Sequence, residues 1–281
     1  MFALALLALA TATACSDTAR PTAASSSFSS AASVRYREPT FAGIDITHDV
    51  VFQTTPPLAL DVYQPSGDAL RKRPVVVWMH GGGFADGNRS EGPFIGFPVA
   101  FAKLGYVAVS IDYRLLASEQ CIDPSLSSDI CRDAGAAAAD DARTAIRFLR
   151  SNASTYGLDP RRIAIAGESA GAIAAALVGV HAGDDAGRVQ AWVSVSGGAD
   201  PRDAVDAGAA PGLLFSNTDD PLVPFARSSA TAAAMQRAGV VVVLRPLPGV
   251  GHVPVDLFGQ LMLDDSRDFL YDHLDLRSAD R

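Results

Sequence analysis

The chain predicts an α/β fold: a mostly parallel sheet covered by helices on both faces. Three observations carry this. Short apolar strands alternate with helical runs along most of the sequence. The strands are near-continuous in Val, Ile and Ala rather than alternating apolar with polar, as strands buried on both faces require. And 281 residues at 48% hydrophobic suffice for one full core. In order, the first strand is 75–79 (VVVWM), β-branched and aromatic with no polar interruption, and a helix follows at 97–104. The strand at 107–111 leads to an alanine-rich helix at 134–151, and the strand at 163–166 to a helix at 170–181. Strands at 191–195, 212–216 and 240–244 complete the sheet, with a helix at 225–238 between the last two. The stretch 264–276 is an amphipathic helix. No internal repeat is visible.

Ser169 lies at the centre of Gly167-Glu168-Ser169-Ala170-Gly171, directly after the apolar run 162–166 and directly before a helix. Strand, glycine-flanked serine and helix together form the layout of a nucleophile elbow. The turn is tight enough that the positions two before and two after the serine carry almost no side chain, and Gly167 and Gly171 meet that demand.

The strand at 75–79 runs into His80-Gly81-Gly82-Gly83-Phe84. An ester attacked by serine passes through a tetrahedral oxyanion that needs backbone N–H donors aimed at one point, and a glycine loop lets the backbone come that close. Gly82, Gly83 and Ala170 are the expected donors, each worth about 3 kcal/mol in the transition state. A phosphate loop is excluded, since no GxxxxGK[ST] is present.

Together, LDVYQP (60–65), RPVVVWMHGGGF (73–84), VAVSIDYRL (107–115), YGLDPRRIAIAGESAG (156–171) and NTDDPLVP (217–224) resemble the carboxylesterase and lipase group of α/β-hydrolases. The pattern is similar to type B carboxylesterases and hormone-sensitive-lipase-like small esterases, from about residue 40 onward. The resemblance implies an α/β-hydrolase fold and a serine, acid, histidine order, so the partners of Ser169 are sought downstream. Three histidines follow it: His181, His252 and His273. His181 falls on the elbow helix and His273 on a solvated helix face. His252 follows Pro248-Gly249-Val250-Gly251 after a strand, at the sheet end where the elbow sits, and is the expected general base. His80 is structural by the resemblance, and His48 precedes the core sheet as an exposed residue. For the acid, Asp219 and Asp220 both suit an imidazole partner. The family pattern selects Asp220 and leaves Asp219 as a turn former capping local N–H groups. Glu168 is a buried support in that pattern rather than a general acid. The connection 197–210 is short and rich in Gly, Ala and Asp, so no large lid is expected, which points to short acyl groups in an open cleft.

The formal net charge of −8 argues against nucleic acid as a partner. The trio Arg71-Lys72-Arg73 reads as a solvated turn. No cofactor is implied, and the three cysteines and five histidines show no metal-ligand spacing. Residues 1–14 read as a signal peptide, and 15–40 as a flexible tether rich in Ser, Thr and Ala before a catalytic domain at 41–281. The leader resembles that of a bacterial lipoprotein with Cys15 lipidated, so membrane contact is expected only through that anchor. Ala12 in place of Leu, and the lack of Lys or Arg before the apolar run, depart from the pattern. Cleavage after Ala14, giving a soluble secreted or periplasmic protein, therefore stays open. In an exported chain Cys121 and Cys131 can pair across a short polar loop, two free thiols being the alternative. The expected function is serine carboxylic ester hydrolysis of a small-molecule ester through an acyl-enzyme. Acetyl or feruloyl esters of sugars are candidate substrates. A serine peptidase or amidase on the same fold, and a non-catalytic binding protein, are the alternatives.

Overall fold

The computed structural model describes residues 35–117, 121, 128–200 and 202–278. Two strands come first, β1 (Ile44–Thr54) and β2 (Pro57–Pro65), and then strand and helix alternate. The order is β3 (Arg73–Met79), α1 (Gly96–Leu104), β4 (Val107–Ile111), α2 (Asp129–Ser151), the single turn α3 (Ala153–Tyr156), β5 (Leu158–Glu168) and α4 (Ala170–Val180). It continues with β6 (Ala191–Val195), β7 (Gly212–Asp219), α5 (Phe225–Arg237), β8 (Val242–Val250) and α6 (Val255–His273).

All eight strands form one sheet in the order β1-β2-β4-β3-β5-β6-β7-β8. The six strands β3 to β8 are parallel. Every residue of β3, β4 and β6 is buried, as their near-continuous apolar sequences require. Successive β3 side chains divide between two cores. Val75, Val77 and Met79 join the core built with α2, α4 and Met235 of α5. Val76 and Trp78 join the other, with α1 and α6. In α2 the buried residues Ala134, Ala138, Ala142, Ala145 and Leu149 recur at helical spacing. The helix starts at Asp129 rather than 134 because Ser128 caps it, its hydroxyl accepting from the Cys131 N–H at 3.3 Å. Such a cap is worth about 1 kcal/mol.

The strand order reverses around β3: α1 leads to β4 on one side, and α2 crosses back to β5 on the other. Loops leaving the carboxyl ends of β3 and β5 therefore diverge and leave a crevice, the usual ligand position in an open α/β sheet.

Three expectations need correction. The antiparallel pairs β1–β2 and β2–β4 extend the sheet at one edge, so the strands begin at Ile44 instead of residue 75, and His48 lies in the edge strand β1 ahead of the parallel core. Its side chain is 59% exposed, with Nδ1 on Asp61 Oδ2 at 2.9 Å. Residues 35–40, which composition gives to the tether, carry a core side chain: Tyr36 is 1% exposed, edge-on to Tyr106 at 5.1 Å between ring centroids. Arg73 is no solvated turn residue. It is buried in β3, donating from Nε to Gly157 O at 3.3 Å and from Nη2 to Tyr156 O at 3.0 Å.

Candidate active site

Ser169 stands between the end of β5 and the start of α4 with φ 51° and ψ −119°, a conformation that costs a non-glycine residue about 1–3 kcal/mol. Packing enforces it. Ser169 N–H donates to Val195 O of β6 at 2.9 Å. A Cβ on Gly167 would lie 2.4 Å from the Gly171 backbone, and one on Gly171 would lie 2.4 Å from Met79 O of β3. Only glycine fits either position, so the elbow's sequence requirement is steric.

His252 arrives from the loop after β8 and meets the serine: Nε2 to Ser169 Oγ is 2.8 Å. Its Nδ1 lies 2.9 Å and 3.0 Å from the two carboxylate oxygens of Asp220. A carboxylate only accepts, so Nδ1 carries the proton and Nε2 is left to accept from the serine hydroxyl. The Val253 N–H donates to Ser196 Oγ at 3.0 Å, tying the histidine loop to the end of β6.

Asp220 follows β7 and its carboxylate is buried, while Asp219, the last residue of the strand, is exposed. The capping role expected of Asp219 belongs to Asp220 itself, whose Oδ1 accepts from the N–H groups of Leu222 and Val223, both at 2.9 Å. Those donors keep the carboxylate turned in toward the imidazole.

After β3 the glycine loop approaches the same point. Gly82 and Gly83 have φ of 108° and 61°, and a Cβ on Gly82 would lie 1.9 Å from Asp86 O. The Gly82 carbonyl accepts from Ala85 and Asp86, and the Gly83 carbonyl accepts from the Cys121 N–H at 2.9 Å. Among the described residues, no group accepts from the N–H of Gly82, Gly83 or Ala170. Glu168, 3% exposed, takes the Gly81 N–H on Oε1 at 3.3 Å. Burial pushes its carboxyl up to about 7, with the Gly81 N–H pulling weakly the other way. Among the described residues, neither of its carboxylate oxygens hydrogen-bonds to Ser169 or His252. His80 is buried, which lowers the pKa of its imidazole, and it stacks on Tyr113 with centroids 4.3 Å apart.

The remaining histidines stay away from the serine. His181 caps the end of α4, 3.8 Å from Asp206. His273 ends α6 packed on Phe269 instead of standing free in solvent, and burial lowers its pKa. Cys121 and Cys131 are disulfide-bonded, Cα to Cα 5.7 Å. The bridge joins the segment that holds the Gly83 carbonyl to the first turn of α2. A cavity of about 250 Å³ runs between α2 and α4, with Phe84, Ile173, Leu177 and Arg227 among its walls. Cys15 and the leader 1–14 lie outside the described residues. Among those described, no helix is long and apolar enough to cross a membrane. Tyr113 and Ser196 were not singled out from sequence. Each stands just past the end of an apolar strand, and that position alone signals them.

The BD-FAE family model matches residues 60–196. That span holds the glycine loop and the elbow. A thermophilic esterase of Thermogutta terrifontis, Est2, superposes with a TM-score of 0.65 at 25% identity, covering 82% of this chain and 92% of its own. The chain has an α/β-hydrolase fold and is similar to esterases of the carboxylesterase and lipase type. Curated relatives match part of the chain. Fumonisin B1 esterase of Sphingopyxis macrogoltabida is 31% identical over 122 residues, 43% of this chain and 22% of that protein. Neuroligin-like protein glit-1 of Caenorhabditis elegans is 33% identical over 126 residues, 44% of this chain and 16% of that protein. This α/β-hydrolase thus spans under a quarter of the length of either, and the likeness to them covers less than half of the chain.

Proposed function

We propose that the protein is a serine carboxylic ester hydrolase working through an acyl-enzyme on short-chain acyl esters. One observation carries the proposal: Ser169, His252 and Asp220 form a continuous hydrogen-bonded line at 2.8 and 2.9 Å. In this mechanism Ser169 Oγ attacks the ester carbonyl carbon while His252 Nε2 takes the hydroxyl proton, and Asp220 stabilises the imidazolium. The oxyanion receives the N–H groups of Gly82, Gly83 and Ala170. As the tetrahedral species collapses, His252 returns the proton to the departing alcohol. Water, activated by the same imidazole, then releases the acid from Ser169. The esterase relatives support this reading. Acetyl or feruloyl esters of sugars are the candidate natural substrates.

The test is to mix the protein with p-nitrophenyl acetate and quench within a turnover. A p-nitrophenolate burst and an acetyl group on the peptide holding Ser169 are expected. Steady hydrolysis with no burst and no adduct, or no hydrolysis at all, would contradict the mechanism.

We also propose export, with Cys15 lipidated or with cleavage after Ala14. The Cys121–Cys131 disulfide supports it, since such bonds persist in oxidising compartments. Mass spectrometry of the mature N-terminal peptide separates the two: a diacylglyceryl Cys15 indicates the anchor, an unmodified Cys15 the released form, and an intact Met1 would refute export.

A further inference from the structure

Each oxyanion donor is one end of a rigid peptide plane, so the direction of its N–H is fixed by whatever holds the carbonyl at the opposite end. For the Gly83 N–H that carbonyl is Gly82 O, held by the N–H groups of Ala85 at 3.1 Å and Asp86 at 3.0 Å. For the Gly82 N–H it is Gly81 O, and here the backbone supplies no donor among the described residues. Two side chains do. His80 Nδ1 lies 2.7 Å from Gly81 O and must carry the proton, since a carbonyl only accepts. The Tyr113 phenol lies 3.2 Å from the same oxygen and 2.7 Å from His80 O, so its single proton is shared between two successive carbonyls.

Topology delivers the phenol there. β3 and β4 run parallel with Met79 beside Ile111, which puts Tyr113, two residues on, beside Gly81. Tyr113 is buried, with His80 stacked on its face, and among the described residues its phenol hydrogen-bonds to the His80 and Gly81 carbonyls and not to Ser169, His252 or Asp220.

We propose that Tyr113 is a positioning residue for ester hydrolysis, its phenol fixing the peptide planes before Gly81 and Gly82 so that the Gly82 N–H faces the oxyanion. This rests on the serine-esterase reading above. Burial raises the phenol's ionisation above its usual range, so the donor persists at every assayable pH. A group that merely fills space would be replaced by phenylalanine without kinetic consequence. A group that aims an oxyanion donor affects only states in which the oxyanion exists.

The experiment is Tyr113→Phe, which keeps the ring and its stack on His80 and removes only the hydroxyl. With p-nitrophenyl acetate, kcat should fall about ten- to a hundredfold while KM stays within about twofold, because loss of a whole oxyanion donor costs about 10²–10³ and this one is loosened rather than removed. The inhibition constant of phenylboronic acid, which forms a tetrahedral adduct on the serine, should rise by the same factor as kcat/KM falls. An unchanged kcat, a loss confined to KM, or an unmoved boronate constant would overturn the proposal. So would an insoluble Tyr113→Phe protein, since the phenol would then be a determinant of folding. Failure of the esterase reading is distinct, because the wild-type protein would then show no acetyl-enzyme before Tyr113 is altered.

Discussion

Asp220 and Asp219 are adjacent carboxylates with the same chemistry, and backbone geometry separates them. β7 ends at Asp219, leaving that side chain in solvent, while the turn swings Asp220 beneath His252 and clamps it with two N–H donors. Composition cannot distinguish these fates, because the point where the strand stops is set by its pairing with β8. Asp220→Asn should lower kcat by about 10⁴ by favouring the wrong imidazole tautomer, and Asp219→Asn by at most about tenfold. Steady-state kinetics on both variants checks the ranking, and the reverse order would move the role to Asp219. Glu168 gives a second prediction at this scale. Its folded pKa of about 7 lies above the unfolded value of 4.5, so between those values the folded state binds the extra proton and stability falls as pH rises. The swing is about 3 kcal/mol, complete near pH 8. Glu168→Gln keeps an acceptor for the Gly81 N–H and cannot titrate, so the stability difference between wild type and variant should shift toward the variant from pH 4.5 to 8. Denaturant unfolding at the two pH values measures it, and parallel pH profiles would contradict the shift.

Among the elements, the elbow and the glycine loop were legible because their demands are steric: nothing larger than glycine fits at positions 167, 171 or 82. The hairpin β1–β2 was not. β1 is an edge strand with most of its side chains exposed, and its register shifts between Thr47 and Val50 and again between Val51 and Gln53. Those irregularities break the period-two alternation that marks a half-buried strand. The disulfide was legible as parity of the cysteines, with export as the premise, but its bearing on the glycine loop was not, because the bond from Cys121 N–H to Gly83 O joins segments far apart in sequence. Replacing both cysteines by serine should cost about 2.5 kcal/mol, since the closed loop is short. Urea unfolding of the double variant tests this, and a loss above about 5 kcal/mol would show strain or packing terms beyond loop closure.

At the scale of the whole molecule, the two-faced parallel sheet followed from near-continuous apolar strands, and the strand order is what brings residues from the ends of β3, β5, β7 and β8 to one crevice. Convergence across a sheet is a long-range property that motif spacing only implies. Between Ser196 and Pro211 the described residues contain no helix that would cover the serine. On the proposed short-acyl reading few extra methylenes are buried, each worth about 0.8 kcal/mol, so kcat/KM across p-nitrophenyl esters should peak from acetate to butyrate and fall by octanoate. A preference for palmitate would contradict that. The most direct test of the site itself is the turnover of p-nitrophenyl butyrate by Ser169→Ala, with fluorophosphonate labelling of the wild type alongside. A loss of about 10⁴–10⁶ in kcat with an unchanged unfolding midpoint, and label on Ser169 alone, is the predicted result. Retained turnover, or label on any other serine, would contradict it.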